Sequence, residues 1–97
     1  MFKVAKSYRD YVIDELAVLY GSEDAVNEKY NELEDRLINK EGYMIAPLAV
    51  YGYMLLTKVN VPSYTCEDFL MLCCDEPEGI VMSILDLFMT KLAKEVL

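Results

Sequence analysis

Residues 45–58 have the sequence IAPLAVYGYMLLTK, in which apolar side chains would surround a helix on every side. Such a helix lies at the centre of a protein or in an interface, because it presents no polar face to water. Pro47 is tolerated only in a first turn, so the regular helix is predicted to begin close to it. The longest uncharged run, residues 42–57, has 16 residues, whereas a membrane span needs roughly 20 apolar residues. We therefore predict a buried central helix and no membrane contact.

The segments around this helix carry apolar residues at spacings of three and four, which is typical of helices that bury one face. The first stripe comprises Val4, Tyr8, Tyr11, Val12, Leu16 and Leu19, the second Val26, Tyr30, Leu33 and Leu37, and the last Val81, Leu85, Phe88, Leu92 and Val96, widened by Ile80, Ile84 and Leu87. Gly21 is predicted to end the first helix and Ser22 to cap the second. Thr65 is predicted to cap a short helix after a loop at residues 59–63, and a capping box at residues 75–78 to start the last helix.

These segments predict an all-α protein, a compact bundle of four to five helices around the central apolar helix at about residues 45–58. The chain length of 97 residues fits one domain, covering residues 1–97. No repeat, low-complexity segment or linker divides the sequence.

The composition argues against an enzyme. The chain contains no histidine, so the commonest general base and the commonest metal ligand are both missing. There is no glycine-rich phosphate loop, and adjacent carboxylates on a helix diverge by about 100°. The three cysteines, Cys66, Cys73 and Cys74, form no CxxC pair and are predicted to be buried thiols in a reducing compartment. We predict no catalytic residue, no cofactor, no metal and a cytoplasmic location, since the charged N-terminus lacks the apolar region of a signal peptide.

The charge is strongly acidic, with 17 Asp and Glu against nine Lys and Arg, a net charge of −8. Direct nucleic-acid binding is excluded, because it requires cations to neutralise phosphates. Seven acids are assigned to helix starts, namely Glu23, Asp24, Glu67, Asp68, Asp75, Glu76 and Glu78. Ion pairs at i,i+4 are predicted for Lys6–Asp10, Glu32–Arg36 and Lys91–Glu95. The remaining acids gather in the first two helices, where residues 10–41 hold ten acids and three bases, a net charge of −7.

We predict that this acidic region binds a protein partner. Acids at positions 24, 28, 32 and 35 recur along one ridge of the second helix, about 6 Å apart. Such a ridge can meet a basic groove on a partner, including one built to bind nucleic acid, and thereby block or regulate that partner. The residues expected to carry the interaction, flanked by tyrosines, are Asp14, Glu15, Glu28, Glu32 and Asp35. The alternative interpretation is a solvated face that only keeps an apolar protein soluble.

The apolar content, 55% of the residues, supports a hypothesis from another class. The third helix and the stripes on the first and fifth are predicted to exceed what a small monomer buries, which favours a homodimer or a permanent partner. The alternative function is therefore a structural subunit that assembles through helices three and five. The opposite possibility is that short helices around the central one bury everything. The methionines are predicted to fill core gaps, and they are Met1, Met44, Met54, Met71, Met82 and Met89.

Overall fold

The computed structural model describes the backbone of residues 7–96 and the side chains of residues 7–90. Within this range the protein has five α-helices and no strand. They are α1 (Tyr8–Tyr20), α2 (Glu23–Glu34), α3 (Pro47–Lys58), α4 (Ser63–Cys73) and α5 (Glu78–Val96). A π-helical segment, Asp35–Lys40, continues α2. The predicted all-α bundle is confirmed.

The central helix is α3, as its sequence predicts. Each of the other four helices packs against it, while α1 also packs on α2 and α4 on α5. Pro47 occupies the first turn, and the buried residues of α3 are Leu48, Ala49, Val50, Gly52, Met54, Leu55 and Leu56. Because the surrounding helices enclose these residues, α3 is not the exposed assembly surface that its apolar sequence suggested.

The connection between α1 and α2 has the predicted local geometry. Gly21 ends α1 with φ of 96°, and its N–H donates to the carbonyl of Ala17. An added Cβ at Gly21 would meet nothing within 4 Å, so the left-handed backbone, not space, favours glycine here. Ser22 then caps α2, with its hydroxyl accepting from the Ala25 N–H at 3.1 Å. The tight turn sets α1 and α2 side by side.

The start of α4 differs from the prediction. The helix begins at Ser63, and Pro62, not Thr65, occupies the cap position. The Pro62 carbonyl accepts from the N–H of Thr65 at 2.9 Å, which places Thr65 inside the first turn. The first turn of α4 holds no acid. Glu67 and Asp68 therefore lie C-terminal to the first turn of α4. The first turn is the part of a helix in which the dipole favours negative charge.

The prediction of a capping box at residues 75–78 is also wrong. Asp75 has a φ of 62°, and its backbone N–H donates to the carbonyl of Met44 at 2.8 Å. α5 begins only at Glu78, and the carbonyl of Pro77 accepts the first bonds of its initial turn. A backbone bond to the α2–α3 connection thus holds Asp75 in a turn, and this tertiary contact overrides the local capping signal.

One hydrophobic core is shared by the five helices. The largest fully buried side chains include Phe69, Leu16, Leu37, Leu48, Met54, Leu56, Leu70 and Leu85. Cys66 and Cys73 are buried and Cys74 is half-buried, and all three are free thiols. Burial, with smaller contributions from Cys74 and Glu76, raises the pKa of Cys73 to about 12. Within the described residues, no helix is both long and apolar enough to cross a membrane.

The buried faces of α1 and α5 are narrower than the apolar stripes that the sequence predicted. Tyr11 and Leu19 on α1, and Ile80 and Leu87 on α5, are exposed although their spacing placed them on buried faces. Other predictions concern parts of the chain outside the described side chains. They are the stripe positions Val4, Leu92 and Val96, the pairs Lys6–Asp10 and Lys91–Glu95, and Met1.

Candidate partner-binding surface

The outer face of α2 and its π-helical continuation is acidic. Glu28, Glu32 and Asp35 recur at i, i+4 and i+7, and all three are exposed. The opposite side of this helix is buried through Val26, Leu33 and Leu37. Because the buried side fixes the rotation of the helix, the three carboxylates form one outward-facing row. We call these three residues the α2 ridge.

Asp24 lies toward the N-terminal end of the same face and is exposed. With Glu23 it occupies the first turn of α2, where the partial positive charge of the helix terminus stabilises anions. The two residues therefore have a local structural role, as their sequence position predicts.

The π-helical segment rearranges the charges at the end of the α2 ridge. Asp35 Oδ2 lies 3.5 Å from Lys40 Nζ, and Arg36 Nε lies 3.3 Å from Glu41 Oε2. Both pairs join residues five apart, the spacing that one π-helical turn brings together. The Glu41 N–H donates to the Arg36 carbonyl at 2.9 Å, which is the backbone bond of that turn.

The predicted Glu32–Arg36 pair does not form. Arg36 is directed to Glu41 and donates from Nη2 to the Tyr53 hydroxyl at 3.2 Å. Glu32 instead pairs with Lys29, whose Nζ lies 3.2 Å from its Oε1. The i,i+4 rule fails here because the helix changes its pitch at Asp35 and turns Arg36 toward α3.

The ion pairs leave the α2 ridge accessible. A hydrogen bond from Asn39 Nδ2 at 3.1 Å, and then the charge of Lys40, lower the pKa of Asp35 below its ordinary value. Glu32, Asp35 and Lys40 are exposed and Lys29 is half-buried, and ion pairs at the surface contribute little to stability. A partner bearing lysine or arginine can displace them at little cost. Glu28 has no ion pair or side-chain hydrogen bond within the described part of the chain.

The two predicted residues on α1 do not share a face. Glu15 is exposed, but its neighbour Asp14 is half-buried, as expected for adjacent helical side chains that point about 100° apart. Glu15 lies between the exposed side chains of Tyr11 and Val18, four residues before it and three after. The structure therefore unites Glu28, Glu32 and Asp35, sets Glu15 on the adjacent helix, and leaves Asp14 outside that arrangement.

Most of the tyrosines are partly buried and pack against the core. The Tyr8 hydroxyl donates to Asp86 Oδ1 at 2.7 Å and joins α1 to α5; burial, and then Asp86, raise the pKa of Tyr8. Tyr30 stacks on Tyr51 with ring centroids 4.5 Å apart. The partly buried tyrosines that pack on the core are Tyr8, Tyr20, Tyr30, Tyr43, Tyr51 and Tyr53. Of the predicted flanking tyrosines, Tyr11 alone is both exposed and part of the α1–α2 hairpin.

The sequence did not predict that two methionines outside the acidic region are exposed. Met54 is fully buried, and Met82 and Met89 pack against the core as predicted. Met44 and Met71, however, are 70% and 65% exposed, so the prediction that they fill core gaps is wrong. The spacing of residues could not reveal the exposure of Met71, because that exposure depends on which side of α4 faces α3 and α5.

Neither metal chemistry nor similarity to known proteins adds to this description. Among the described residues, no group of three or more Cys, Asp or Glu side chains is arranged to hold a metal ion. In the same part of the chain, every buried side-chain nitrogen or oxygen has a hydrogen-bond partner. The chain matches no protein-family model, no curated protein and no solved structure with which it was compared. Geometry and charge are therefore the basis for assigning a function.

Proposed function

We propose that this protein is a non-enzymatic regulator that binds another protein and occupies a basic surface on it. The α2 ridge is the contact, with Glu15 on α1 at its side. The partner presents lysines or arginines, and a surface that otherwise binds nucleic acid fits this description. Occupying that surface inhibits or regulates the partner.

The observation that supports this proposal is the fixed outward row of Glu28, Glu32 and Asp35 in a region of net charge −7. A concentration of one sign of charge on a rigid element attracts an oppositely charged partner and accelerates its association. The ridge is rigid because its other side is buried in the core. Its charges therefore meet a partner without the entropy cost of ordering a loop.

Charge reversal tests the α2 ridge. The partner is first captured from the native host with the wild-type protein, identified by mass spectrometry and purified. The triple variant Glu28→Lys, Glu32→Lys, Asp35→Lys is expected to weaken binding of that partner by at least about tenfold. It should also flatten the dependence of the dissociation constant on salt, because exposed charge pairs are screened by ions. Isothermal titration at several salt concentrations measures both.

The matched control makes the same change in net charge at positions outside α2 and α4. Asp10→Lys, Glu41→Lys and Glu78→Lys are all at exposed positions, and this triple variant should bind the captured partner as the wild type does. If the α2 ridge variant keeps its affinity and salt dependence, or if both variants lose affinity alike, the ridge is not the contact.

A second candidate function is self-assembly through α5, and one observation favours it. Ile80 and Leu87 are exposed and lie seven residues apart on one face, with the uncharged Ser83 between them. Two copies could meet there with little repulsion between charges. Sedimentation over a wide concentration range should then show dimers that Leu87→Ser abolishes. A protein that stays monomeric throughout has no such function.

A further inference from the structure

The outer face of α4 carries exposed apolar side chains. Met71 is 65% exposed and Leu72 is 55% exposed, and Tyr64 is exposed seven residues before Met71 on the same side of the helix. The buried side of α4 is formed by Cys66, Phe69, Leu70 and Cys73. That packing fixes which residues face outward, so the apolar outer face does not arise from a loosely held helix.

Met44 extends this face beyond α4. The Asp75 N–H donates to the Met44 carbonyl at 2.8 Å, and the N–H of the preceding residue, Cys74, donates to the Met71 carbonyl at 3.4 Å. The Asp75 amide thus ties the α2–α3 connection to the turn that follows α4, and the Cys74 amide closes the C-terminal end of α4 itself. Met44, itself 70% exposed, is held beside the turn of the chain in which α4 ends.

Carboxylates alternate with these apolar residues. Glu67 and Asp68 lie between Tyr64 and Met71 on the exposed side of α4, and Asp75 and Glu76 follow in the next turn. None of the four forms an ion pair within the described residues. Residues 59–90 contain six acids and neither lysine nor arginine. The observed helix starts also remove the capping role that the sequence suggested for these four acids.

We propose that this face, defined by Met44, Tyr64, Met71 and Leu72 with the four carboxylates around them, is a second docking surface. Its occupant is a cationic amphipathic helix of a partner protein. Methionine and leucine side chains accept the apolar side of such a helix, since the flexible methionine adapts to different shapes. The four carboxylates meet lysines or arginines that flank the apolar side. The surface is separate from the α2 ridge and does not depend on it.

Charge selects this occupant over the two others that an apolar face could take. A second copy of the chain would bring the same four carboxylates against their equivalents, and like charges in an interface oppose association. An anionic lipid surface attracts basic segments, so the four carboxylates of this face repel it. A positively charged apolar helix is the one partner whose charge and polarity both match.

A defined peptide tests the proposal with the full chain. The probe is a synthetic helical peptide with leucines on one side and lysines flanking them. A matched peptide has glutamate in place of every lysine. Backbone amide shifts in nuclear magnetic resonance spectra are followed during titration. The lysine peptide is expected to shift the amides of residues 43–45 and 64–76, and the glutamate peptide should shift none of them.

Two variants separate apolar docking from general attraction to an acidic protein. Met71→Ser with Leu72→Ser should weaken binding of the lysine peptide by about tenfold or more, because exposed apolar anchors are lost while the charge is unchanged. Glu67→Gln with Asp68→Asn should weaken binding and reduce its dependence on salt. The matched control, Val18→Ser on α1, replaces another exposed apolar residue and should leave the affinity unchanged.

Three results would overturn the proposal. The peptide shifts could fall on α1 and α2 instead of α4, or the Met71→Ser, Leu72→Ser variant could bind as tightly as Val18→Ser. Amides of residues 64–76 that shift with protein concentration in the absence of peptide would identify a second copy as the occupant. Thermal unfolding of each variant by circular dichroism verifies that these exposed substitutions leave the fold intact.

Discussion

Replacing Phe69 with alanine is expected to lower the free energy of unfolding by about 3–5 kcal/mol. The ring is fully buried on α4, where it meets Phe88 of α5 edge-on with centroids 5.4 Å apart and planes inclined at 72°. Its other side approaches Gly52 of α3. Alanine would leave a cavity at the junction of three helices and remove an aromatic pair worth about 0.5–1.5 kcal/mol.

The loss is large compared with the total stability. A domain of this size is stable by roughly 5–15 kcal/mol, so Phe69→Ala should remove a major part of that free energy. Urea unfolding followed by far-ultraviolet circular dichroism measures the change, since the chain contains no tryptophan. The midpoint should fall with little change in slope, because the variant exposes nearly the same surface on unfolding.

Tyr64→Ala on the same helix is the matched control. Tyr64 is exposed, and its replacement should alter the free energy of unfolding by no more than about 0.5 kcal/mol. Equal urea midpoints for the two variants would contradict the packing of α4 against α3 and α5 at Phe69.

Much of this fold follows from local sequence signals. The central position of α3 was predictable because its sequence leaves no polar side to face water. The ends of α1 and α2 were predictable because Gly21 and Ser22 act within one turn of the backbone. Such signals need no knowledge of the rest of the chain.

The predictions that failed depend on tertiary contacts. Asp75 has the sequence context of a helix cap, but its N–H bonds to Met44, which is distant in the sequence. The exposure of Tyr11 and Leu87 depends on how many neighbours surround α1 and α5, whereas spacing shows only which residues share a side. Sequence therefore predicted the helices better than it predicted how much of each is covered.

In the candidate site, too, the features set by local spacing were predictable and the others were not. Glu28, Glu32 and Asp35 form a ridge because helical spacing is a local property. Their cationic neighbours were mispredicted because the i,i+4 rule assumes regular α-helix, and the π-helical turn replaces it with i,i+5 pairs. The acids of α4 were assigned to caps that do not exist, which concealed the exposed apolar face beside them.

Gly52→Val is expected to destabilise the protein by about 3 kcal/mol. A Cβ at this position would lie 2.7 Å from Phe69 Cζ, 3.0 Å from Phe69 Cε2 and 3.3 Å from Leu85 Cδ1. The valine methyl groups would add to this overlap. Glycine within a helix lowers stability by roughly 1 kcal/mol relative to alanine. Its presence in the centre of α3 is explained by the close approach of Phe69 on α4, which leaves no room for a Cβ. Urea unfolding gives the change in free energy.

Gly79 provides the matched control, because it is also helical and a Cβ added there would meet no atom within 4 Å. Gly79→Ala should raise the free energy of unfolding by up to about 1 kcal/mol through helix propensity alone. Gly52→Ala makes the same chemical change and should lower it, because the overlap with Phe69 outweighs the gain in propensity. Changes of the same sign at both positions would contradict close packing at Gly52.

A double-mutant cycle identifies the side chain that requires glycine at position 52. Leucine in place of Phe69 lacks the two ring atoms that a new Cβ would overlap most closely. Gly52→Ala should therefore cost less in the Phe69→Leu background than in the wild type, by about 1 kcal/mol of coupling free energy. An equal cost in both backgrounds would assign the constraint to Leu85 of α5 instead. Either way the glycine is dictated by a helix other than its own, which is why the pattern within α3 predicts burial but not the need for glycine.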